Sequence, residues 1–168
     1  MRKERERRTL ETAGMLFTLL FGNLLHFVYD WTGQAGWAAY LSAVNESTWE
    51  HMKLLFFPML VLVLFLFFKL PEQSPIPVVL SIGTLVGLAL IPILFYTYTG
   101  VLGFSVMAID ISIFYISVLG VFLTGWFLKD NRELANRRGL LLTCLVILAI
   151  LFFIFSYYPP EIGLFQEP

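Results

Sequence analysis

Runs of apolar residues dominate the chain, at roughly 12–31, 50–70, 76–98, 104–128 and 139–158. Each is near the ~20 residues that, at about 1.5 Å of rise per residue, a helix needs to cross about 30 Å of hydrocarbon. A bilayer offers no water to unpaired backbone groups, so runs of this length predict helices. The apolar/polar alternation of a membrane β-barrel is absent. The pattern therefore predicts an all-α, polytopic membrane protein: a bundle of five transmembrane helices in a single membrane domain spanning residues 1–168. Pro58 and Pro92 fall inside the second and third spans, where each removes a backbone donor and favours a kink. Gly83 and Gly87 lie four apart in the third, the small-xxx-small spacing of close helix packing.

Composition agrees with this. Only 14% of residues are charged and 58% are hydrophobic, against about 25% charged in soluble domains. That is too little polar surface for a water-facing shell, and the lipid bilayer is the expected solvent. The first apolar run follows a basic arm, as in a signal peptide, but it is longer than an h-region of about 7–15 residues and carries His26 and Asp30. We read it as a retained helix. The single cysteine, Cys144, excludes an intrachain disulfide and a cysteine-based metal site.

Charge sets the expected orientation. With the N-terminus in the cytoplasm, the inner segments are residues 1–10, 69–74 and 129–138, and they hold every Lys and Arg except Lys53. The outer loops, 32–49 and 99–103, and the tail after Tyr158 hold none. The positive-inside rule then places the C-terminus outside, in a multi-pass protein of the cell membrane. Trp31, Trp37, Tyr40 and Trp49 gather at the outer interface, and residues 32–44 are expected to lie along it. Neither the net charge of −1 nor so short a basic arm points to nucleic acid.

The candidate chemistry is one-sided. Asn23, His26 and Asp30 share a face at the outer end of the first span; Asn45, Glu46, Ser47, Glu50, His51 and Lys53 open the second. Tyr96 and Tyr98 close the third, and Asp110 lies six residues past Phe104, about 9 Å down the fourth. Ionisable groups in a span are costly and usually face the bundle interior or a cavity. Neutral imidazoles with carboxylates suit zinc or another divalent ion. The expected ligands are His26 and His51 with Asp30 or Asp110; the expected catalytic groups are Glu50, as general base, and Asp110. Structural explanations stand beside these. Ser47 to Glu50 fits a capping box, Lys53 can pair with Glu50 or Glu46, and His26 can pair with Asp30.

The segments Asn45-Glu46-Ser47-Thr48-Trp49-Glu50-His51-Met52-Lys53-Leu54, Phe95-Tyr96-Thr97-Tyr98-Thr99-Gly100 and Ile109-Asp110-Ile111 resemble a family of small bacterial multi-pass membrane proteins known only as a domain of unknown function. The resemblance runs from about residue 14 to 125 and implies no activity. Asn45, Glu46, Ser47, Trp49 and His51 are also similar in type to a segment of the alkaline ceramidase and adiponectin-receptor membrane hydrolases. That analogy implies a zinc site, but five spans stand here for seven, and the paired histidines of the last span are missing. Three functions stay open: a metal-dependent hydrolase of an amphiphilic or small-molecule substrate, a proton- or cation-coupled carrier or ion-binding subunit, and a structural or accessory protein. The inner two-thirds of the spans is almost purely apolar, so a carrier would need a homo-oligomer to complete its pathway.

Overall fold

The computed structural model describes residues 2–168; Met1 of the basic arm lies outside them. The described residues form α1 (Arg2–Trp31), the short α2 (Gly36–Ala39), α3 (Thr48–Lys69), α4 (Ile76–Leu102), α5 (Met107–Leu128) and α6 (Arg138–Tyr157), with 3-10 turns at Arg132–Arg137 and Gly163–Phe165 and no strand. Five of these helices are long and apolar enough to cross a membrane. The all-helical, multi-pass architecture is thus the one the apolar runs predict.

Two boundaries differ from the sequence pattern for local reasons. α1 starts about ten residues early, because Arg7 bridges Glu4 and Glu11 on adjacent turns, at 2.7 Å each. Such pairs extend helix beyond the apolar run. α5 starts at Met107 rather than 104. Gly103 ends α4 with φ of 79°, and the Tyr98 hydroxyl closes the turn by accepting from Val106 N at 3.0 Å and donating to Asp110. Asp110 therefore lies in the first turn of α5, not 9 Å inside it.

α3 forms the centre. Leu55, Phe56, Met59 and Val63 are wholly buried, with α1, α4 and α6 packed around them. Pro58 and Pro92 sit within α3 and α4, and both helices run on through them. Pro58 has no N–H for the carbonyl of Leu54, four residues earlier. That freed carbonyl faces Gly22 of α1, where an added Cβ would fall 2.6 Å from Leu54 O and 2.5 Å from Phe114 Cζ. The glycine lets α1 approach α3 here, a setting in which Cα–H groups contact carbonyl oxygens. α4 meets α5 in the same way: a Cβ on Gly83 would collide with the Val121 carbonyl.

The loop joining α1 to α3 does not lie flat along the surface. Trp37 and Tyr40 are exposed, but Ala38, Ala39, Ser42 and Ala43 are buried. Ser42 is the reason on one side: its hydroxyl donates to Leu25 O and accepts from Tyr29 N at 3.1 Å. On the other side Tyr157 donates to Gly36 O at 2.7 Å. The loop is tucked over the end of the bundle.

Gly83→Ala must push α4 off the α5 backbone, an overpacking cost of about 1–3 kcal/mol. Gly100 is also helical but has open space around its Cβ direction, so Gly100→Ala leaves stability unchanged or slightly raised. Thermal unfolding of the detergent-solubilised variants checks the contrast.

Candidate metal centre

The Gly22–Leu54 contact fixes what happens one turn further along both helices. His26 follows Gly22 by four residues and His51 precedes Leu54 by three, so the two imidazoles are brought side by side, tilted by 34° with ring centroids 5.4 Å apart. The third participant is not helical. Ser47 is the N-cap of α3, in extended conformation, and its hydroxyl accepts from Glu50 N at 3.4 Å. Glu46 therefore stands just outside the helix. Asn45 fixes it there through an Asx turn, its Oδ1 accepting from Ser47 N at 3.0 Å.

The Glu46 carboxylate faces both rings. Oε2 is 3.4 Å from His51 Nε2 and Oε1 is 4.0 Å from His26 Nε2. One ligand atom from each of His26, Glu46 and His51 can be chosen so that all lie within 4.8 Å of one another. Each imidazole is 32% exposed and the carboxylate 65%, so the trio opens outward from the bundle.

Hydrogen bonding assigns the tautomer of His51. Its Nδ1 is 3.0 Å from the carbonyl of Ser47, which can only accept. Nδ1 must carry a proton. In the neutral ring this leaves the lone pair of Nε2 directed at the Glu46 carboxylate, an acceptor facing an acceptor. A proton shared by the two groups, or a metal ion between them, makes that contact favourable. On His26, Nδ1 is buried with no hydrogen-bond partner among the described residues.

The other expected site residues lie outside this trio. Asp30 is exposed in the last turn of α1, and the predicted His26–Asp30 hydrogen bond is not among the observed contacts. Asp110 accepts from Tyr98 across the α4–α5 turn. Asn23 donates to Leu19 O at 2.7 Å and to the Tyr115 hydroxyl at 3.3 Å. Tyr96 is exposed on α4. Among the described residues, neither Asp30, Glu50 nor Asp110 joins the group of His26, Glu46 and His51 that could hold an ion.

Glu50, the expected general base, is buried in an ion pair with Lys53, Nζ to Oε2 at 2.5 Å, with side-chain exposures of 3% and 0%. Lys53 donates also to Ala39 O at 2.8 Å and to Ser156 Oγ at 2.9 Å, which uses all three of its protons. Glu50 Oε2 accepts from Val44 N at 2.9 Å, and Oε1 lies 3.3 Å from Ser156 Oγ. The capping box is therefore half made. Ser47 caps Glu50 N, but the Glu50 carboxylate turns inward to the ammonium instead of back to Ser47 N. Glu46 as the third member of the group that could hold an ion, and Ser156 and the Ala39 carbonyl as partners of Lys53, are what sequence reasoning missed. Only Glu46 carried a signal, its place just before a predicted N-cap.

Lys53→Met leaves Glu50 as a buried, unpaired charge and is expected to destabilise the fold by about 3–5 kcal/mol, whereas the apolar pair Glu50→Leu/Lys53→Met recovers much of that loss. Unfolding of the single and double variants in detergent measures both.

No curated protein and no solved structure matches the chain. A family model does, over residues 2–168, which extends the resemblance read from Asn45–Leu54, Phe95–Gly100 and Ile109–Ile111 to nearly the whole chain. The chain belongs to the family described as "Family of unknown function (DUF6512)".

Proposed function

We propose that the chain is a membrane protein that binds a divalent transition metal, zinc above all, through His26, His51 and Glu46. The observation that carries this reading is the contact between His51 Nε2 and the Glu46 carboxylate, with Nδ1 already committed to the Ser47 carbonyl. A cation held between these two ligand atoms satisfies both at once. Two neutral imidazole nitrogens and a carboxylate oxygen form a donor set of the borderline kind that zinc prefers. The Ser47 carbonyl supplies the usual outer-shell partner that orients a ligating imidazole.

Three protein ligands leave a fourth tetrahedral position for water or a small ligand, and the exposure of Glu46 puts that position within reach of solvent or a lipid headgroup. With the basic segments in the cytoplasm, the site lies at the outer face of the cell membrane. Binding is favoured over hydrolysis because Glu50 has both carboxylate oxygens engaged inside the bundle and does not face the trio as a free base.

Metal analysis of purified protein tests the reading. Wild type is expected to carry stoichiometric zinc. His26→Ala, His51→Ala and Glu46→Gln each lower affinity by at least the ~10–100-fold typical of losing even an outer-shell partner, and Asp110→Asn retains it. Zinc absent from the wild type, or lost equally in Asp110→Asn, overturns the assignment.

A further inference from the structure

The Lys53–Glu50 pair sits on the same two turns of α3 as His51, yet its hydrogen bonds run to the loop that carries Glu46. Lys53 holds Ala39 O at 2.8 Å, and Glu50 holds Val44 N at 2.9 Å. Val44 is two residues before Glu46, a span of at most about 7 Å of chain. On the other side of Glu46, the Asn45–Ser47 turn and the Ser47 cap fix the chain to the start of α3. Glu46 itself is largely exposed. Its carboxylate faces the imidazoles because the chain on both sides is pinned.

We infer that Lys53 and Glu50 are positioning residues for the metal site: the buried pair, braced by Ser156 of α6, holds loop 39–44 so that Glu46 stays against His26 and His51. This rests on the metal-binding reading above. A buried ion pair contributes little net stability compared with apolar residues of similar size, but it is directional. Here every direction it fixes belongs to the loop, to α3 or to α6.

The test uses the full chain and the variant Glu50→Leu/Lys53→Met, which removes both charges together so that neither is left buried alone. Hydrogen exchange is read at the amides of residues 40–46, and zinc affinity is measured by competition with a chromophoric chelator. Val44 and its neighbours are expected to exchange about tenfold faster or more, with the amides of residues 55–66 in α3 unchanged. Zinc affinity is expected to fall about tenfold in the otherwise wild-type chain and by less than about twofold in a Glu46→Gln background, because a residue acting through Glu46 has nothing left to act on. Equal losses in both backgrounds, or unchanged exchange at residues 40–46, overturn the positioning role while leaving the metal site standing. A wild-type chain without zinc brings down the metal reading, and this inference with it.

Discussion

A lysine with no solvent exposure, at the end of a bundle built for lipid, is the constraint around which the site end is arranged. Lys53 is the one cation outside the basic segments, and it is tolerated there because Glu50 neutralises it at 2.5 Å. In an apolar medium neither charge can be left alone. Together they require further acceptors and donors, and these come from two pieces of chain: the Ala39 carbonyl and the Val44 amide of the loop before α3, and the Ser156 hydroxyl of α6. Satisfying one ion pair thus fixes the loop after α2 and the end of α6 relative to the start of α3. The ion pair adds to the Ser42 and Tyr157 hydrogen bonds that tuck the loop over the end of the bundle.

Below this level the bundle is held by shape. Pro58 frees the Leu54 carbonyl, Gly22 gives α1 room to approach it, and Gly83 does the same for α4 against Val121. The first of these contacts has a chemical consequence. It lies one helical turn from the two histidines, so the separation of the imidazoles is set by a glycine that has no side chain of its own. The second contact concerns the fold alone.

The sequence made some of this legible and concealed the rest for identifiable reasons. Length and apolarity predict the five long helices, because a bilayer allows little else. The Gly83–Gly87 spacing predicts a close packing face. Ser47 reads as an N-cap, and Lys53 and Glu50, three apart on a helix, read as a pair. Local periodicity is sufficient for each of these. It fails where a residue leaves the helix or where two helices must be placed relative to each other. Glu46 reads as a facemate of Glu50 if α3 is extended backwards; once Ser47 caps the helix, Glu46 swings to the histidines and Glu50 turns inward. Asp110 reads as deep in a span if the helix starts at Phe104; the left-handed Gly103 and the Tyr98 bond delay that start, and the carboxylate meets a tyrosine. Neither Ser156 nor the Ala39 carbonyl gives a signal, since both matter only through a partner about 14 or more residues away in sequence.

The central claim is that His26, His51 and Glu46 converge on one cation. Absorption spectroscopy at the zinc edge on the purified, zinc-loaded protein tests it most directly. The account predicts a first shell of nitrogen and oxygen only, at about 2.0–2.1 Å, with the outer-shell scattering of two imidazoles. A shell containing sulfur at about 2.3 Å, which would point to Cys144, or one without imidazole scattering, would contradict it.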